Sequence, residues 1–201
     1  MPEIRTDQAL RDYMLYNRAA RLARKTLRFY EGQLRPFVQW CDELEVACVS
    51  GITPSIIRGY MVSLEDRGLR DSSIHAAARA IRAWLNFCVR EEYIEISPMD
   101  KVAMPRVSKE ILPSLAEEDV THLLEACTCA RDKAIVLVLL DTGLRASELV
   151  NLNGKDIDFD LGEIHVRHGK GSKDRTVFLG NEARRVLRDY YADRGDPPED
   201  K

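Results

Sequence analysis

Apolar positions recur every three to four residues through the first half of the chain and give way, in the second, to short alternating runs. Four amphipathic helices are predicted first. One runs from Thr6 to about Asn17, with Leu10, Met14 and Tyr13 facing inward. The next, from about Arg24 to Leu44, carries a stripe of Leu27, Tyr30, Leu34, Phe37 or Val38, Cys41 and Leu44, with a kink expected at Pro36. Thr53-Pro54 opens a third in the pattern of an N-cap followed by a first-turn proline, and Gly68 stops it. Asp71 or Ser72 caps a fourth, which reaches about Glu92 behind a stripe of Ile74, Ala78, Ile81, Leu85 and Cys88.

Beyond Ser97-Pro98 the pattern changes. The extended, proline-punctuated stretch Met104-Pro105-Arg106-Val107-Ser108-Lys109 reads as a linker, placed at 103–113 between domains 1–102 and 114–201. The acids Glu117, Glu118 and Asp119 open a helix to about Cys127, and an apolar helical run from Ala134 to Leu140 is broken by Gly143. A new amphipathic turn follows, with Leu144, Leu149 and Leu152 facing a core. Ile164 and Val166 then alternate with Glu163, His165 and Arg167, and Val177 and Leu179 with Thr176 and Phe178, so the segment between them is a hairpin tip. A last helix spans Asn181 to about Asp193, ended by Gly195 and Pro197-Pro198. The fold class expected is mainly α with a small antiparallel sheet.

Composition narrows the picture only locally. The net charge of −3 over 201 residues carries no global signature of a polyanion partner. Between Arg5 and Arg35, however, eight Lys or Arg face three acids, whereas acids cluster from Asp193 to Asp200. Lys25 and Arg28 lie off the apolar stripe of the second helix. On the fourth, His75, Arg79, Arg82 and Asn86 form a polar stripe whose spacing suits a phosphate backbone, or else a solvated face. The five cysteines are odd in number and mostly sit in apolar helical patterns, and no signal segment precedes them, so a reduced, cytoplasmic protein without a membrane span is expected. Cys127 and Cys129 with His122 lack the paired spacing of a metal site, so no metal is expected.

The candidate chemistry lies in two boxes. In Thr142-Gly143-Leu144-Arg145-Ala146-Ser147-Glu148-Leu149, Arg145 falls at the first turn of a helix, where a guanidinium fork and unpaired N–H groups together suit a phosphate; Glu148, three residues on, orients it. An exposed ion pair is the plainer alternative. In His168-Gly169-Lys170-Gly171-Ser172-Lys173-Asp174-Arg175, glycines flank Lys170 and free its ammonium to reach a partner. This is no nucleotide loop: Gly171 follows Gly-Lys where Ser or Thr is needed, and Ile164 stands where the first glycine belongs.

Together the boxes resemble the tyrosine recombinase (phage integrase) family, which carries T-G-L-R-x-S-E-L, a three-stranded sheet and a G-K-G-x-K-x-R hairpin in this order. The four upstream helices resemble the family's core-binding domain, whose second and fourth helices face double-stranded DNA. The resemblance implies DNA integration and recombination through a covalent 3′-phosphotyrosine, without cofactor or metal. Arg145 would contact the scissile phosphate and Lys170 would be the general acid, while Lys25, Arg28, His75, Arg79, Arg82, Lys173 and Arg175 would bind DNA. Full-length relatives would be tetrameric on DNA and this chain a monomer in solution. The family's H-x-x-R box and tyrosine nucleophile have no counterpart: none of His75, His122, His165 and His168 is followed three residues later by arginine, and Tyr190 and Tyr191 fall on a packing helix. The chain alone is therefore expected to be inactive. A DNA-binding regulator on the same scaffold and a non-DNA helical module are the rival readings.

Overall fold

The computed structural model describes residues 3–108, 113–167 and 174–195, which form two compact units divided between Ile111 and Leu112. The first is helical throughout. Helices α1 (Thr6–Ala19), α2 (Arg24–Glu43), α3 (Pro54–Asp66) and α4 (Asp71–Arg90) close around one core. Trp84, Phe37, Leu34, Ile57, Ile81 and Leu85 are fully enclosed, and Phe37 meets Tyr60 and Trp84 edge-on at 5.1 and 6.2 Å. Burial pushes the thiols of Cys41 and Cys88 up to about 12, so both act as apolar packing residues. Trp40 packs on Tyr60, and neither tryptophan presents a stacking platform.

The core stripe predicted for α4 is buried at every position. On α1 the inward face is Ala9, Tyr13 and Asn17, and Leu10 and Met14 are only half-buried, because Tyr13 occupies the space against Phe87 and Tyr30 and turns the helix. Leu44 is exposed one residue past the end of α2, where the backbone has left the helix. That helix runs unbroken through Pro36, which lies on the exposed side. Thr53 Oγ1 accepts from the Ile56 N–H at 3.4 Å and caps α3. The cap position of α4 is Arg70, without a side-chain bond; Asp71 is already helical and adds negative charge to the first turn.

A strap of chain follows α4. Met99 and Val102 are buried, Met104 packs on the core, Arg58 Nη2 donates to the Lys101 carbonyl at 2.7 Å, and His75 Nδ1 lies 2.8 Å from the Pro105 carbonyl oxygen. Residues 103–105, read as linker, thus lie against the helical unit.

In the second unit, α5 (Glu117–Glu125) buries no residue fully and ends two residues before Cys127. Helix α6 (Ala130–Thr142) stops at Gly143, whose φ of +60° an L side chain rarely adopts. After it come α7 (Ala146–Val150), β1 (Ile157–Asp158), β2 (Glu163–Val166), β3 (Arg175–Phe178) and α8 (Asn181–Arg194). The three strands pair antiparallel in the order β1-β2-β3, with Ile164 opposite Val177 and Val166 opposite Arg175. Ile164, Val166 and Leu179 face a core completed by Ala134, Leu137, Val138, Ala183, Val186 and Leu187 of α6 and α8, while His165 and Phe178 point outward, as the alternation requires. Gly180 donates its N–H to Asp141 Oδ2 at 2.7 Å; a Cβ there would stand 2.9 Å from the same oxygen, so a larger residue would have to displace the Asp141 carboxylate. Among the described residues, no helix is long and apolar enough to cross a membrane.

Candidate functional site

The site is built where the end of α6 turns into α7. Leu144 is buried and anchors the turn, Thr142 Oγ1 accepts from the Leu144 N–H at 3.3 Å, and Arg145 is lifted to the cap position of α7 with its side chain 57% exposed. Its position differs from the one expected. Helix α7 has only five residues, and Glu148 Oε2 takes the Arg145 N–H at 2.9 Å, so the guanidinium rather than the helix end is what remains for an anion.

Glu148 is the hub. Its side chain is 7% exposed; Oε1 accepts from Arg145 Nη1 at 2.9 Å, and Arg175 donates two parallel bonds, Nη1 to Oε1 at 2.9 Å and Nη2 to Oε2 at 2.7 Å. One carboxylate thus binds two guanidiniums, leaving the cluster a net positive charge. The paired bonds from Arg175, then the Arg145 N–H and guanidinium, hold the Glu148 carboxyl well below the usual range against the opposing effect of desolvation. The same pairing raises Arg175.

The alternation of β3 explains why Arg175 reaches inward. It stands two residues before Val177 and four before Leu179, on the face that packs on the core. A second anchor escaped the sequence reading. Asp156, 4% exposed, accepts at Oδ2 from Asn153 N and Nδ2 at 3.2 and 3.3 Å, and Arg167 Nε lies 2.8 Å from its Oδ1 at an angle outside hydrogen-bond range. The Asn153-x-x-Asp156 spacing, that of a cap and its third helical residue, was the available signal. Lys170 and Lys173 lie in 168–173, outside the described residues.

In the helical unit, Lys25, Arg28, Arg79 and Arg82 are exposed and, among the described residues, make no ion pair. Arg79, Arg82 and Asn86 line a groove of about 500 Å³ with Phe29, Tyr30, His75 and Met104. His75 is half-buried and spends Nδ1 on Pro105, leaving Nε2 as its remaining ring nitrogen. Tyr190 and Tyr191 pack against the second core, the Tyr191 ring 5.8 Å from that of Phe159. Among the described residues no cluster of three or more metal-ligating side chains occurs.

A four-helix unit followed in the chain by a small antiparallel sheet and its helices is a fold that solved tyrosine recombinase structures share. The chain belongs to the phage integrase family: the pattern of that family matches residues 113–201, and that of its N-terminal SAM-like domain matches residues 10–92. Tyrosine recombinase XerC of Oceanobacillus iheyensis is 31% identical over 170 residues, 82% of this chain and 55% of that protein. XerD of the same organism is 30% identical over 196 residues, 94% of this chain and 66% of that protein. The chain therefore spans between about half and two thirds of the length of these relatives. The same fold occurs in the Tn1549 transposon integrase in complex with a circular intermediate DNA (TM-score 0.76, 18% identity, 94% of this chain and 65% of that one). It occurs also in a lambda integrase dimer bound to a COC′ core site (TM-score 0.77, 16% identity, 94% of this chain and 55% of that one).

Proposed function

We propose that the chain is a double-stranded-DNA-binding part of a site-specific tyrosine recombinase, acting in DNA integration and recombination. The observation that carries this reading is the presentation of Arg145: an exposed guanidinium fixed from behind by a shielded carboxylate that is itself held ionised, an arrangement suited to a phosphate. Arg145 contacts the scissile phosphate, Glu148 orients it, and Lys170 protonates the leaving oxygen as the nucleophile attacks. Lys25, Arg28, Arg79 and Arg82 bind backbone phosphates along the α2 and α4 faces, with His75 beside them, and Lys173 extends the contact from the hairpin. Residues 1–102 act as the core-binding domain and 114–201 as the first part of the catalytic domain. The chain is a cytoplasmic monomer off DNA.

Salt-dependent binding to duplex DNA tests the reading. Replacing Lys25, Arg28, Arg79 and Arg82 together should reduce the slope of log K against log salt by roughly 0.9 for each phosphate no longer neutralised, at every sequence alike. An unchanged slope would mean these charges are solvated surface. On a suicide substrate carrying the cognate site, the 201-residue chain should give no covalent adduct; one mapped to Tyr190 or Tyr191 would overturn the assignment of these residues to packing.

A further inference from the structure

Two arginines flank the facing ends of β2 and β3, and both are tied to shielded carboxylates. Arg167, directly after β2, sits on Asp156; Arg175, the first residue of β3, grips Glu148. The two carboxylates are 5% and 7% exposed at the side chain, so neither exchanges its partner for water cheaply. The anchors differ in one respect. Among the described residues Asp156 is otherwise bonded only to the local turn at Asn153, whereas Glu148 also holds both the backbone and the side chain of Arg145. Arg175 spends one N–H of each terminal nitrogen on this grip, so the end of its fork is turned to Glu148.

We propose that Arg175 is a positioning residue rather than a DNA ligand: through Glu148 it locks the start of β3 to the arginine box, so that the guanidinium of Arg145 is held in one orientation for a phosphate. This rests on the reading of Arg145 as a phosphate contact. With lysine at position 175 a direct ligand would keep the charge of its phosphate contact and hence its share of the salt slope, whereas a lock needs the planar fork that reaches both carboxylate oxygens at once. Loss of the lock frees two segments 30 residues apart in the chain, so its effect is transmitted through Arg145 rather than added to it.

The test uses the full 201-residue chain, a mixed-sequence duplex and four variants. Arg175→Lys should weaken binding about as much as Arg175→Ala, on the order of tenfold, and Glu148→Gln should weaken it too, although it removes a negative charge. In an Arg145→Ala background, Arg175→Ala should leave the salt slope unchanged. Full binding by Arg175→Lys, tighter binding by Glu148→Gln, or a further drop in slope of roughly 0.9 in that background would make Arg175 a phosphate ligand and overturn the proposal. A second arm needs no DNA. The carboxyl carbon of Glu148, followed by NMR as pH falls, should titrate higher in Arg175→Ala than in the parent, or in Arg175→Lys if the alanine variant does not fold. An unmoved titration would show that no grip exists. If the parent chain fails to bind duplex DNA, the functional reading falls, and the carboxyl titration still decides the lock.

Discussion

The two units are held together by different physics. Among the described residues, twenty-four buried apolar side chains close the helical unit and eleven close the other, so the second has far less hydrophobic burial to define its site. Their ion pairs differ in the opposite sense. Those of the helical unit, Arg5 and Arg11 to Asp7 and Arg35 to Glu31, lie on the surface with every partner at least 39% exposed. The second unit has exposed pairs too, Arg131 to Asp132, Arg185 to Asp189 and Arg188 to Asp160, but there Glu148 and Asp156 are shielded, and they join residues 27 and 11 positions away. Where the apolar core is large, charges are left outside for other uses. Where it is small, buried carboxylates take over part of the work of fixing geometry, and the fixed geometry is the candidate site.

The largest expected effect breaks the first unit alone. Phe37→Ala should cost about 3–5 kcal/mol, read by denaturation with tryptophan fluorescence, which reports this unit because Trp40 and Trp84 are both in it. Ile164→Ala, in the second core, should leave that transition where it was. Equal shifts from both would show that the units unfold as one.

Next comes the edge of the helical unit. A chain ending at Pro105 should keep the His75 bond and the Met104 packing, whereas one ending at Val102 should fold but melt earlier, by about 1 kcal/mol for the missing bond. Identical melting curves by circular dichroism would show that the strap is passive.

Acid should distinguish the two kinds of ion pair. Because the Glu148 carboxyl lies lower in the folded chain than in the unfolded one, its pairing contributes in full above about pH 4.3, the ordinary Glu value. The contribution fades as pH falls through the lower folded value. Glu148→Gln should therefore destabilise the second unit at neutral pH and flatten its acid limb, as seen by amide exchange. A parallel loss at all pH values would remove Glu148 from the acid response. The smallest effect belongs to the surface: Glu31→Ala on α2 should change stability by about 0.3–0.5 kcal/mol, and a loss of several times that would place the pair in the core's support.

The order of helices, the stop at Gly143, the Thr53 cap and the alternation of Ile164 and Val166 were all legible in the chain, because each depends on neighbours a few residues away. So was the pairing of Arg145 with Glu148, one helical turn apart. What misled was local reasoning about shared space. Leu10 and Met14 are as apolar as a core requires, yet Tyr13 took the interior of α1 because aromatic partners from α2 and α4 met it there. Residues 103–105 look like linker until the buried surface they cover is present.

Periodicity, capping and motif spacing determined by themselves which segments are helix or strand and that Arg145 and Glu148 pair across one turn. The tertiary structure alone decided that Arg175 grips Glu148, that Arg167 meets Asp156 and that His75 holds the chain at Pro105. These pairings span from 11 to 30 residues, and a carboxylate selects among distant cations by burial and geometry, which no local pattern encodes.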